Sequence, residues 1–126
     1  SPDGRWIAFT SNLSGTAEVY VRPFPGPGAN TLVSSGGGRE PHWSARGDEI
    51  FYRQGLQIMS AKVRTSPTFE VLGTPQLLFD GPYDFTQTDN WDVGPDGRFL
   101  MIKADPAAGT QILAVFNWLQ ELQRAP

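Results

Sequence analysis

Cysteine is absent from the 126 residues. That excludes a disulfide framework, a thiolate metal site and a cysteine nucleophile. Histidine occurs once, at His42, so an imidazole-based zinc site or a general base has few partners to draw on. Long apolar runs are missing too. The longest, residues 112–116, falls far short of the about 20 residues that cross a bilayer, and membrane insertion by this chain is not expected. Charge is scarce, with 18% charged residues and a net charge of −3. No Lys/Arg cluster offsets that balance, which argues against a nucleic-acid or anionic-membrane surface.

What is present is turn chemistry and apolar bulk. The 14 Gly and 11 Pro disfavour long helices, while 39% hydrophobic and 12% aromatic residues suffice for a core. Three stretches share one pattern. Ser1-Pro2-Asp3-Gly4-Arg5-Trp6-Ile7-Ala8-Phe9, Ser44-Ala45-Arg46-Gly47-Asp48-Glu49-Ile50-Phe51-Tyr52 and Gly94-Pro95-Asp96-Gly97-Arg98-Phe99-Leu100-Met101-Ile102 each read as a tight turn running into a strand. Repetition at about 40–50 residues, with short strands, is the sequence signature of a propeller blade. Aligned on the turns, Ile7, Ile50 and Leu100 fall in one apolar column, and Phe9, Tyr52 and Ile102 in another. Stacked sheets bury such columns.

The pattern predicts strands over residues 6–11, 18–21, 31–34, 40–43, 48–53, 56–63, 76–79, 90–93, 98–103 and 110–115. Residues 68–72 read equally as loop or short strand. Asn117 opens a run with Trp118, Leu119 and Leu122 on one face and Gln120 in capping-box position, which predicts a terminal helix over 117–124. The expected fold is all-β: a fragment of a β-propeller with two to three four-stranded antiparallel blades and a short C-terminal helix. Residues 1–37 read as a partial blade, 38–80 as a complete blade, and 81–126 as a partial last blade plus the helix. A closed ring needs more blades than this, so the open ends are expected to self-associate or to meet the remaining blades of a longer parent chain. The chain also opens without Met, on the turn of a repeat, and reads as a piece of a longer protein.

The run Ser1-Pro2-Asp3-Gly4-Arg5-Trp6-Ile7-Ala8-Phe9 resembles the SPDG-type, WD-repeat-like unit of TolB-like β-propellers, which also occurs in the propellers of prolyl-oligopeptidase-type peptidases. A wider resemblance rests on Glu18-Val19-Tyr20-Val21-Arg22-Pro23-Phe24-Pro25, Glu40-Pro41-His42-Trp43-Ser44, Gly73-Thr74-Pro75-Gln76-Leu77-Leu78-Phe79 and Asn117-Trp118-Leu119-Gln120-Glu121-Leu122. These look like the C-terminal end of bacterial proteins that join a serine/threonine kinase to such a propeller. The resemblance implies a non-catalytic sensor or scaffold module with a protein or peptide partner. It favours an extracytoplasmic setting. A gating propeller of a peptidase and a periplasmic TolB-like scaffold are the alternative readings. The middle copy departs from the pattern with Ala45-Arg46 in place of Pro-Asp, and the third begins with Gly94 instead of Ser. Both changes fall in a turn expected to tolerate them.

Catalytic constellations do not emerge from the residues. No serine sits in a G-x-S-x-G elbow, and Gly36-Gly37-Gly38 leads into a strand instead of a helix, unlike a phosphate loop. Asp3 and Asp96 fit Asx-type turns better than calcium ligands, since a lone carboxylate supplies too few oxygens. Asp84, Asp89, Asp92 and Asp105 read as a solvated loop cluster. No catalytic residue, metal or cofactor is assigned. The candidate binding surface is His42 on an inner strand, with Tyr83 and Trp91, the aromatics expected to be most exposed because they lie on a long connection, whose residues 81–90 are the loop expected to bind.

Overall fold

The structure, a computed structural model, describes residues 1–86, 89–105, 107 and 109–115. Among them every element is a strand, and the sheets are antiparallel. The helix expected over 117–124 lies outside the described residues. The first sheet holds β1 (Trp6–Ser11), β2 (Glu18–Pro23) and β3 (Thr31–Leu32) in that order. The second begins with β4 (Arg39–Trp43), β5 (Glu49–Gln54) and β6 (Gln57–Arg64). The far edge of β6 is shared: β8 (Gln76–Asp80) pairs with Gln57–Ser60, and β7 (Glu70–Val71) pairs with Val63 and Arg64. The ambiguous stretch 68–72 is therefore a short strand, whose neighbour Phe69 is buried. The third sheet runs β9 (Trp91–Val93), β10 (Phe99–Asp105), β11 (Gly109–Val115).

Two apolar layers lie between the three sheets. Strand alternation decides which side chain joins which layer. In the first, Val19, Val21 and Val33 meet Ile50, Tyr52, Ala61 and Val63 of the middle sheet. Trp6 closes this layer, with its ring 5.5 Å from that of Phe69 and its Nε1–H donated to the Thr65 carbonyl at 3.1 Å. In the second layer, Phe51, Ile58 and Phe79 meet Trp91, Phe99 and Met101. Phe99 lies at its centre, with ring centroids 5.0 Å from Phe51 and 5.2 Å from Phe79, both edge-on. The middle sheet is thus covered on both faces, so Ile50, Phe51 and Tyr52 are buried in succession.

The turns explain where the columns of the sequence hold and where they fail. Gly4, Gly47 and Gly97 take φ of 70°, 75° and 79°, a left-handed conformation that suits glycine. Asp3 and Asp96 each accept the N–H two residues on, from Arg5 and Arg98, at 3.1 Å, which is the Asx-turn bond. In the first two turns a serine hydroxyl holds a wide loop. Ser1 Oγ accepts the Trp6 N–H at 3.0 Å, and Ser44 Oγ accepts the Glu49 N–H at 3.1 Å. The loop then closes from the Ser1 amine to the Trp6 carbonyl at 2.8 Å and from Ser44 N–H to the Glu49 carbonyl at 2.9 Å. Gly94 has no hydroxyl. Its N–H bonds the Arg98 carbonyl at 2.8 Å, so the third turn closes one residue sooner.

A shift of one residue exchanges the two faces of a strand. Phe99 and Met101, at 2% and 0% exposure, therefore take the places of Ile50 and Tyr52, while Leu100 stands 47% exposed. The expected column of Ile7, Ile50 and Leu100 is corrected accordingly: Ile50 is buried, Ile7 half-buried and Leu100 outward. The third turn still forms with Gly94 in place of Ser, its Gly97 N–H donating to the Gly94 carbonyl at 2.9 Å.

Candidate functional site: a charged strap beside an open strand edge

The conspicuous polar construction is centred on Glu40 in β4. The pairing of β4 with β5 shifts register between Arg39 and His42, a bulge, and Glu40 takes φ of 54°. Positive φ is costly for a non-glycine residue, by about 1–3 kcal/mol, and persists only where surrounding contacts enforce it. Those contacts are present. Arg53 grips the carboxylate with two bonds, Nη2 to Oε1 at 2.7 Å and Nε to Oε2 at 3.1 Å. Trp91 Nε1–H donates to Oε2 at 2.9 Å, and the Glu40 backbone N–H donates to Thr10 Oγ1 at 3.2 Å. The Glu40 and Arg53 side chains are only 6% and 15% exposed. Burial works to raise the Glu40 pKa. The Arg53 hydrogen bonds and charge, with the Trp91 N–H, outweigh it and hold the carboxyl below its usual 4.5.

The three residues singled out in the sequence meet here. His42 stacks at a tilt on Trp91, ring centroids 4.3 Å apart, and its Nδ1 lies 3.4 Å from Asp92 Oδ1. The Arg53 guanidinium sits 5.0 Å over the Phe85 ring, and Phe85 contacts Tyr83 edge-on at 6.3 Å. One strap therefore runs His42–Trp91–Glu40–Arg53–Phe85–Tyr83 and ties the second sheet to the third. The expected exposure of the aromatics is corrected: Trp91 is 3% exposed and Tyr83 half-buried. The connection that carries Tyr83 is drawn onto the third sheet. Tyr83 bridges Lys103, and the Asp84 N–H donates to the Ile102 carbonyl at 2.8 Å. Glu40 and Arg53 escaped the sequence reading, because one polar residue among Arg39, Glu40 and His42 announces no direction.

Beside the strap lies a groove of about 430 Å³. Ala8, Phe9 and Thr10 of β1 form one wall, and Arg39, Glu40, Pro41 and His42 form the other, with Asp89 at the end. Such a groove offers both acidic and basic groups and one imidazole. Among the described residues no group of three or more His, Cys, Asp or Glu is placed to hold a metal ion. Further away, the buried Tyr52 hydroxyl makes no well-formed hydrogen bond among the described residues; burial, with the Glu18 charge adding and the Ser35 backbone only partly opposing, pushes its pKa up to about 12.

His42 makes stability pH-dependent. Burial lowers its pKa below the ordinary 6.5, against the opposing pull of Asp92, Asp89 and Glu40. The fold thus prefers the neutral ring. Its contribution is complete above about pH 6.5 and is lost as pH falls through the lower folded value. Urea midpoints measured at pH 7.5 and 5.5 are expected to fall on acidification, and His42→Gln is expected to shrink that fall. An unchanged pH dependence in the variant would refute the assignment.

No family model matches the chain, and no curated protein matches it.

Proposed function

We propose that the three sheets are consecutive blades of a β-propeller and that the chain is a non-catalytic binding or sensor segment. The resemblance of its motifs points to the C-terminal region of a bacterial serine/threonine kinase as the parent. One observation carries the reading: the middle sheet is packed face to face between two others, and in each sheet a turn with a positive-φ glycine leads into the long strand β1, β5 or β10. On this reading the strands β4 and β9 are the inner strands, and the groove beside Glu40 opens toward the axis, where a peptide or protein partner binds.

Propeller blades need neighbours on both faces. Here the outward faces of the end sheets stay apolar. Ile7, Phe9 and Tyr20 continue into Leu32, 51% exposed, on the first sheet, and Leu100 and Ile102 lie on the third. Sedimentation of the chain is expected to show concentration-dependent association. The double variant Leu32→Glu, Leu100→Glu is expected to sediment as a monomer with an unchanged melt. A wild-type chain that stays monomeric at high concentration and melts cooperatively would sink the reading.

A further inference from the structure

We propose that the cavity between the second and third turns binds a small monocation, an amine carried on an apolar ring. The site goes beyond the blade reading and shares no lining residue with the groove beside Glu40.

The junctions between successive turns differ in one filler. Pro2 of the first turn reaches the second: a Cβ placed on Gly47 would lie 3.4 Å from Pro2 Cδ, and Gly47 is buried. In the second turn Ala45 stands where Pro2 stands in the first, and Gly97 of the third turn corresponds to Gly47. A Cβ on Gly97 would meet nothing within 4 Å, and Gly97 is exposed. The ring that fills the first junction is thus missing from the second. A cavity of about 390 Å³ lies there, with Ala45 and Gly97 both in its lining. Its walls come from the turns β4–β5 and β9–β10 and from the strands that follow them.

The lining sets the chemistry of the occupant. Phe51, Val93, Pro95 and Phe99 make an apolar floor, in which the Phe51 and Phe99 rings meet edge-on at 5.0 Å. Such a floor holds an apolar ring by dispersion and edge-to-face contact. Around it stand the carboxylates of Asp48, Glu49 and Asp96 and the guanidinium of Arg46. Asp48 pairs with Arg46 at 3.0 Å and accepts the Ser44 hydroxyl at 2.8 Å. Asp96 is held within its own turn by the Arg98 N–H and side chain. Glu49 differs from both. It is half-buried and accepts the hydroxyl of buried Ser60 at 2.5 Å. Among the described residues no basic group pairs with it, and Lys62, its neighbour across the ladder, is exposed. A half-buried carboxylate without a counter-ion, beside an apolar floor, selects one positive charge on an apolar body.

The test titrates benzylammonium into the whole chain and follows the amide signals of Ala45, Gly47 and Gly97 by NMR. Benzyl alcohol and benzoate are the neutral and anionic controls. Benzylammonium is expected to saturate and to bind at least about tenfold more tightly than benzyl alcohol, the scale of a hydrogen bond to a charged group, and benzoate is expected not to bind. Ala45→Pro restores the missing ring. Turns with proline at this place already close at Pro2 and Pro95, so the variant is expected to fold and to lose binding. Glu49→Gln keeps an acceptor for Ser60 and removes the charge. It is expected to bind benzylammonium at least about tenfold more weakly and benzyl alcohol as the wild type does. The Leu32→Glu, Leu100→Glu chain is changed outside the cavity and is expected to bind as the wild type does, so failure of the blade reading leaves this result in place. Absence of saturable benzylammonium binding by the folded wild type overturns the proposal. So does binding that survives in Ala45→Pro, or equal binding of benzyl alcohol and benzylammonium.

Discussion

Phe99→Ala is expected to lower the unfolding free energy by about 3–5 kcal/mol, the usual cost of removing a buried phenylalanine. Phe99 is 2% exposed and touches the rings of Phe51, Phe79 and Trp91, so its loss leaves a cavity bounded by both sheets of the second layer. A domain of this kind has about 5–15 kcal/mol in total, which puts the variant near the threshold of folding. The neighbouring change Leu100→Ala is expected to stay within about 0.5 kcal/mol, as exposed positions generally do. Chemical denaturation of the pair is decisive. If Leu100→Ala proved as damaging as Phe99→Ala, the register of the third sheet would be wrong by one residue.

The second large effect concerns the strap. Arg53→Ala strands the Glu40 carboxylate in a site where its side chain is 6% exposed, and breaking one partner of a buried pair costs about 3–5 kcal/mol. The double variant Arg53→Ala, Glu40→Ala is expected to lose less than the sum of the single changes, and a double-mutant cycle in urea reads the difference. The pH response adds a second check. In the wild type the lowered Glu40 pKa contributes stability that is complete above about pH 4.5 and is lost as pH falls through the folded value. In Arg53→Ala burial acts unopposed by the guanidinium, the carboxyl pKa rises, and acidification is expected to restore stability. A variant that weakens on acidification as the wild type does would refute the role given to Arg53.

Strand positions were largely legible because they rest on local signals. Alternation, β-branched residues and Gly or Pro breaks place β1, β2, β5 and β6 within one or two residues of the expected limits. Facing was not legible in the third sheet. Gly94-Pro95-Asp96-Gly97 is almost the same text as Ser1-Pro2-Asp3-Gly4, yet the turn without the serine hydroxyl closes one residue sooner. The binding candidates were half legible. His42, Tyr83 and Trp91 do lie on one connected strap, yet the charged pair that organises it was hidden. Glu40 precedes Pro41, a context that favours extended backbone, so its positive φ runs against the local preference and depends on contacts from distant strands.

The short third turn has a consequence for how such a chain tolerates insertions and deletions. Because side chains on a strand alternate, the number of residues in the turn acts as a parity bit for everything downstream in β10. If the third turn kept its closure on the fourth residue, adding one residue after Gly97 would turn Leu100 and Ile102 inward and expel Phe99 and Met101. Substitutions in the corner are graded in effect; a change of its length keeps the interior only where the closing bond moves with it, as it does between the first two turns and the third.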